Sequence, residues 1–300
     1  MKTEIKTLVV IVTYNRLLDL KACINALSLQ TYKLFDIIVV NNGSTDGTKE
    51  WLETKKELIV INQDNLGGAG GFYSGMKFML DHDYENIILM DDDGIPDKSE
   101  IENLIYSYQE VSRAVGKEII LNALVVNKED RRYTSFSWAR GSKRTNLVKD
   151  LQKDLYFNDI HPFNGTLIKR STIEKIGMIK KEMFIWGDEK EYMARAIHNN
   201  IGLYTLTTAL HYHPKEKGIK GNVIPGIKKY QILVKPTHMS HFYYRNEGFI
   251  YYNYPAKRKK MWLFCTANIL YNLTHFRFGE LFKFIRYFRK GMNNDYSSLK

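Results

Sequence analysis

The sequence predicts an α/β fold, a mostly parallel sheet flanked by helices, with a helical, basic and aromatic extension at its C-terminus. Three observations carry this expectation. Apolar runs of strand length alternate with stretches of helical periodicity through about the first ninety residues. Each of those runs ends directly in a polar cluster. Cationic residues, by contrast, gather at the far end. Residues 251–300 hold ten Lys and Arg against Glu280 and Asp295, so they carry +8 of the chain's net charge of +11.

The elements follow in order. "TLVVIVTYN" (7–15) reads as a buried strand, five consecutive β-prone apolar residues ending in a polar loop. "RLLDLKACINALSLQ" places Leu17, Leu20, Ile24 and Leu27 at helical spacing. "FDIIVVNNGSTDGT" is a second strand running into a turn, followed by a short helix through Trp51 and Leu52. "ELIVINQ" is a third strand, and a helix is expected after the glycine cluster, from about Gly71 to Leu80. "NIILM" is a fourth strand, ending at Asp91-Asp92-Asp93. Beyond about residue 120 the pattern loosens. "VVNKEDRRYTSFSWARGSKRTN", with Phe136 and Trp138 embedded, suits a mobile or ligand-covered loop. A helix around 171–176, the acidic stretch "FIWGDEKEY" and a strand "LYTLTTALHYH" come next. The expected domain is 1–225, with a helical region from 226 to 300.

Composition narrows the class. With 44% hydrophobic and 26% charged residues among 300, the chain has ample core for a folded protein. Cys23 and Cys265 lie far apart without metal spacing, as expected of two reduced thiols in a cytosolic protein. The N-terminal apolar run of about five residues is too short for a signal peptide or a bilayer span.

In parallel sheets, ligands bind at the carboxyl ends of the strands. The clusters Thr13-Tyr14-Asn15, Asn41-Asn42-Gly43-Ser44, Asn65 onward and Asp91-Asp92-Asp93 are therefore expected on one edge. "NLGGAGGF" (65–72) does not fit GxGxxG, and no GxxxxGK[ST] occurs, so neither nucleotide fingerprint is met. Its glycines suit either a tight turn or a loop kept bare for a sugar or phosphate. "VVNNGSTDGT" offers groups for a uracil-type base and ribose, and serves equally as a turn with a helix cap. Alternation lets Asp91 and Asp93 point to one side while Asp92 points away; two carboxylates then supply hard oxygen ligands for Mg²⁺ or Mn²⁺. His211 and His213 stand two apart on a strand and are candidates for a further ligand. Asp188, Glu189 and Glu191 either satisfy a helix N-terminus or supply a general base beside Trp186, whose face suits stacking on a sugar.

Taken together, "VVIVTYNR", "IVVNNGSTDGT", "NLGGAGGF", "ILMDDDG", "FNGTLIKRSTIEKIG", "FIWGDEKEY" and "FYYRNEGF" occur in the order seen in family 2 glycosyltransferases of GT-A fold. "NLGGAGGF" followed by DDD resembles the galactofuranosyltransferase branch and its rhamnosyltransferase neighbours. The resemblance covers roughly residues 5–255. It implies that Asp91 and Asp93 ligate a divalent metal (Mn²⁺ or Mg²⁺) on the donor diphosphate, with Asp92 nearer the sugar. His213 matches the metal-binding histidine, with His211 as alternative. Glu189 matches the catalytic base, with Asp188 beside it. Thr13, Asn15 and Asn41 match the nucleotide-binding loops, and Tyr14, Arg16, Asn65, Gly67 and Gly68 complete the donor-binding set. The implied reaction inverts the anomeric centre, moving galactofuranose from UDP-galactofuranose onto a lipid-linked saccharide for cell-surface polysaccharide. dTDP-rhamnose is the second donor. A nucleotide-sugar pyrophosphorylase or a binding-only protein is the reading from another class.

The tail "AKRKKMWLFCTANILYNLTHFRFGELFKFIRYFRK" mixes cations with Trp262, Phe264, Phe282, Phe284, Ile285 and Phe288. Its longest uncharged stretch, Met261 to Phe276, is too short for a bilayer span. Peripheral attachment to the inner face of an anionic membrane is expected, against a helical cap or an oligomer interface. Nothing resembles a base-reading module, so no nucleic acid is expected as partner.

Overall fold

β1 (Thr7–Thr13) is buried along its whole length. A strand covered on both faces needs a continuous apolar run, and "LVVIV" supplies one rich in β-branched residues. The computed structural model describes residues 7–140, 143–151, 153–215 and 218–297. After β1, α1 (Leu17–Ser28) buries Leu20, Cys23 and Leu27 against the sheet. β2 (Phe35–Asn41) pairs parallel to β1; α2 (Thr48–Glu53) leads to β3 (Ile59–Asn62), parallel to β2. Next comes α3 (Gly67–Asp81), then β4 (Asn86–Asp91), parallel to β1.

α3 begins at Gly67, four residues before the expected start at Gly71. Glycine is a poor helix former, which made the cluster look like a loop. Packing overrides that preference. A Cβ on Gly71 would collide with the Val12 side chain, and one on Gly75 with Val10, so these glycines let the helix lie directly on β1.

β5 (Ile95–Pro96) and α4 (Glu100–Val115) follow, with α4 burying Ile101, Leu104 and Tyr108. Then come β6 (Ile119–Asn127), β7 (Tyr133–Arg140), β8 (Lys143–Leu147), β9 (Leu155–Phe157), β10 (Asn164–Lys169), α5 (Arg170–Ile176), α6 (Asp188–His198) and β11 (Gly202–His213). The sheet runs β3-β2-β1-β4-β10-β6-β11-β5. β10 inserts antiparallel between β4 and β6, while β11 is parallel to β6. The stretch expected to be a loop is instead the β7–β8 hairpin paired to β6, of which residues 141–142 lie outside the described residues. Trp138, at 0% exposure, is part of a core cluster with Leu124, Val126 and Tyr212.

The chain divides into two compact units. One runs from β1 to Lys181 and resumes at Ala196 through β11; the other joins Glu182–Arg195 to the chain after β11. Where composition suggests a boundary near 225, the units are interleaved. The second unit holds a hairpin of β12 (Lys220–Ile224) and β13 (Ile227–Leu233). Its helices are α7 (Ser240–Asn253), α8 (Pro255–Arg258), α9 (Met261–Thr274) and α10 (Phe278–Met292). Tyr244, Phe284 and Phe288 form the core of those helices, with Phe264 packed against it.

Candidate active site

Register brings the polar strand ends together. Thr13 stands opposite Asn41 across β1 and β2, and Val12 opposite Asp91 across β1 and β4. The carboxyl ends of three parallel strands therefore meet on one edge, where a doubly wound sheet binds its ligands.

Asp92 is 3% exposed. It accepts a 2.7 Å hydrogen bond from Thr13 Oγ1 and one of 3.3 Å from Arg16 Nη1. Burial pushes its carboxyl up to about 6, against the opposing pull of Thr13 and Arg16. Arg16 also donates to Asp93 at 2.6 Å and stays half exposed, a cation on the open side of the aspartates.

Asp91, Asp93 and His213 each offer one ligand atom, and those atoms lie within 4.8 Å of one another. Burial, then the charges of Asp93 and Asp92, raises Asp91 far above the usual carboxylate range. Asp93 behaves oppositely: burial disfavours its charge, yet His213, Arg16 and Lys128 hold it at about 2. His213 Nε2 sits 3.2 Å from Asp93 Oδ1. Nδ1 of His213 lies 2.7 Å from the Pro214 carbonyl, which can only accept. Nδ1 therefore carries a proton, and with Nε2 deprotonated the ring would turn a lone pair toward the aspartates. Two carboxylates and an oriented imidazole fit a divalent cation such as Mn²⁺ or Mg²⁺.

His211, the alternative ligand, is not in this group. It is fully buried, with Nδ1 3.1 Å from both carboxylate oxygens of Glu100, and a Cβ on Gly94 would run into its Nε2. It supports the turn after the aspartates from behind. Glu100 gave no signal in the sequence because an acid in a helical first turn, here with Glu102 beside it, looks like an ordinary dipole partner. Phe136 was equally hidden: its ring lies 5.6 Å from that of His213, and only its two-residue spacing from Trp138 hinted at a strand.

The expected donor loops are tied mainly to one another. Asn41, 2% exposed, donates to Asn62 Oδ1 and accepts from the Ser44 amide, so both ends of its amide are engaged inside the protein. Asn15, at φ 53°, accepts from the Thr45 amide, and its own N–H donates to Ser44. Asp46 accepts from the Leu17 amide and from Thr48, the capping role that was the plain alternative for this turn. Asn65 accepts from the Gly67 amide, and the Gly67 carbonyl accepts from Asn42. Tyr14 is exposed, and a Cβ on Gly68 would meet open space. These two, with the exposed Asn15, Arg16 and Asn65, are the members of the set with surface to offer a ligand.

Trp186, Asp188 and Glu189 belong to the second unit. Trp186 has a left-handed backbone at φ 59°, and the Lys235 ammonium lies 4.3 Å from its ring centre. Asp188 and Glu189 open α6, where the helix dipole favours their charge. Asp188 is buried, and Glu189 Oε2 accepts from the Gly187 amide at 3.3 Å.

Residues 8–176 match the model of glycosyl transferase family 2. The galactofuranosyltransferase GlfT1 of Mycolicibacterium smegmatis is 27% identical over 259 residues, covering 83% of this chain and 84% of that protein. GlfT1 of Mycobacterium tuberculosis is 29% identical over the same length, with 83% of each chain covered. Among solved structures, residues 1–349 of S. aureus TarS in complex with UDP-GlcNAc align with a TM-score of 0.53 at 11% identity, over 97% of this chain and 91% of that one. The mannosyltransferase PcManGT from Pyrobaculum calidifontis, in complex with GDP-Man and Mn²⁺, aligns with a TM-score of 0.50 at 15% identity, over 85% of this chain and 64% of that one. At such identities the two structures speak for the GT-A-like fold alone. The matched model spans more than half of the residues, from β1 through the aspartates to α5, and on that ground the chain belongs to glycosyl transferase family 2.

Proposed function

We propose that this glycosyltransferase moves galactofuranose from UDP-galactofuranose onto a lipid-linked saccharide, with inversion and with the help of a divalent cation. The observation that carries the reading is the convergence of Asp91, Asp93 and His213, with Asp92 held by Thr13 and Arg16, at the edge where the parallel strands end. The donor assignment rests on the similarity to GlfT1 proteins over 83% of the chain.

In this reading Asp91, Asp93 and His213 would hold Mn²⁺ or Mg²⁺, which would supply positive charge to the leaving diphosphate. Arg16 adds a fixed positive charge beside it. Thr13 and Arg16 hold Asp92 in one orientation, from which its carboxylate accepts hydrogen bonds from sugar hydroxyls. Trp186 offers a flat face to a sugar ring. Glu189, or Asp188 beside it, takes the proton from the acceptor hydroxyl as its oxygen bonds to the anomeric carbon. The bond to the diphosphate breaks on the opposite face, so an α-linked donor gives a β-linked product.

Attachment to the inner face of the membrane accompanies this reading. Phe276, Phe278, Phe282, Ile285 and Trp262 are exposed on or beside α9 and α10, among Arg277, Arg286, Arg289 and Lys290. Among the described residues no helix is long and apolar enough to cross a membrane. An interfacial helix with an aromatic face and cations beside it fits a surface of anionic lipid.

The test is a panel of UDP-galactofuranose, dTDP-rhamnose, UDP-glucose and GDP-mannose, each with Mn²⁺ and a polyprenyl-diphosphate saccharide. Turnover of UDP-galactofuranose is expected, with loss of at least about 100-fold in Glu189→Gln or Asp188→Asn. Preference for dTDP-rhamnose would overturn the donor assignment. Near-wild-type turnover in both variants would overturn the base.

A further inference from the structure

The run Arg245-Asn246-Glu247-Gly248 in α7 has no part in the chemistry above, although all four residues are buried. Its side chains converge on the segment that carries Trp186, Asp188 and Glu189. Asn246 Nδ2 lies 2.8, 3.0 and 2.9 Å from the carbonyls of Met183, Ile185 and Trp186. Arg245 Nη2 donates to the Glu182 carbonyl at 2.8 Å. Glu247 pairs with Lys190, one residue beyond Glu189, at 2.5 Å. Gly248 removes the side chain that would collide with the Phe288 backbone, letting α7 and α10 touch main chain to main chain.

The held segment would not adopt this path unaided. Phe184 at φ 64° and Trp186 at φ 59° are bulky residues in the left-handed region, and Gly187 follows at φ 119°. Such backbone persists only where its surroundings over-determine it. Asn246 supplies that constraint for three carbonyls, and the Gly187 backbone approaches so closely that a Cβ there would come within 3.0 Å of the Asn246 Cβ. Phe242, one turn before Asn246, adds a stacked contact to Phe184 at 4.6 Å.

We infer that Asn246, with Glu247, is a positioning residue that fixes the 183–189 segment so that the carboxylates opening α6 and the face of Trp186 hold one orientation toward the acceptor. This rests on the reading of Glu189 or Asp188 as base. Asn246 does not touch substrate. Its effect reaches the reaction through the backbone it holds, while the donor and cation residues lie on other elements.

The experiment uses Asn246→Asp, which keeps the shape and removes both amide donors, with Asn246→Gln as the variant that restores a donor. Hydrogen exchange of the full chain reads the segment without any activity. Peptides covering 182–189 should exchange at least about tenfold faster in Asn246→Asp, while those covering 88–97 stay unchanged. Kinetics with UDP-galactofuranose and Mn²⁺ should show kcat for transfer falling at least about 30-fold with the donor KM within about twofold, and partial recovery in Asn246→Gln. If Asn246→Asp does not fold, Glu247→Gln carries the same two readouts through the loss of its charge pair with Lys190. Unchanged exchange in 182–189 overturns the inference. So does faster exchange there with kcat intact, if Glu189→Gln or Asp188→Asn is inactive. If exchange rises while both base variants keep full turnover, the clamp stands but the assignment of the base fails, and with it the link to catalysis.

Discussion

Gly94→Ala tests the support of the candidate cation site with a single methyl group. The turn closes on itself through the Gly94 amide, which donates to the Asp91 carbonyl at 3.3 Å. A Cβ there would lie 2.1 Å from His211 Nε2, whereas ordinary contact begins near 3.4 Å, so one side must yield by about 1.3 Å. The imidazole has little freedom to do so. Both Glu100 oxygens hold its Nδ1 at 3.1 Å, and Glu100 in turn is backed against Gly165, where no Cβ would fit. The Asp93 side of the turn must therefore move, or the core must strain. Overpacking of this kind costs about 1–3 kcal/mol. For a chain of this size that is a fall in Tm of roughly 2–5 °C. Metal ligation tolerates only about 0.2 Å of error, so Mn²⁺ affinity measured by calorimetry with UDP present should drop at least about tenfold. Gly279→Ala in α10 is the matched control. A Cβ there meets nothing within 4 Å, and replacing a helical glycine should leave Tm equal or slightly higher. A Gly94→Ala protein with Mn²⁺ affinity within about twofold of wild type and Tm within about 1 °C would refute the reasoning from the contact to the site.

Two further outcomes follow from the same charges and surfaces. Burial raises Asp91 and Asp92, and neighbouring Asp93 helps raise His213, so across pH 4 to 7 the folded metal-free protein holds more protons than the unfolded chain. Its stability should therefore fall as pH rises through that window, while Mn²⁺ affinity climbs as protons leave Asp91; melting curves with and without Mn²⁺ at several pH values read both trends. In liposome flotation, the intact protein should rise with vesicles containing phosphatidylglycerol and remain below with pure phosphatidylcholine. Phe282→Ser with Ile285→Ser should abolish flotation, and wild-type protein left in the pellet under every lipid would count against membrane attachment.

Reading the sequence succeeded where burial leaves a local imprint. β1, β4 and the second half of β2 are covered on both faces, so their apolar runs are continuous and their ends coincide with the polar clusters. The β7–β8 hairpin was missed because its polar residues mask the alternation of Phe136 and Trp138, and β10 because a short strand that opens with Asn164 and Gly165 looks like a loop. The glycine cluster misled in the other direction: intrinsic propensity argued for a loop, whereas contact with Val12 and Val10 required glycines in a helix.

By itself, then, the sequence determined the class of fold, the order of the elements from β1 to β4 and the residue types available at the strand ends, since these follow from periodicity and propensity along the chain. Only the tertiary structure sets His213 beside the aspartates and His211 against Glu100. Both histidines lie on β11 two residues apart, and what separates them is a carboxylate from α4 and a glycine after β4, neither of which is near in sequence. The same holds for Asn41, whose amide is spent on Asn62 and Ser44, and for Asn246, whose partners lie about sixty residues away. A side chain's role depends on which distant groups share its space, and that information appears only when the chain has closed on itself.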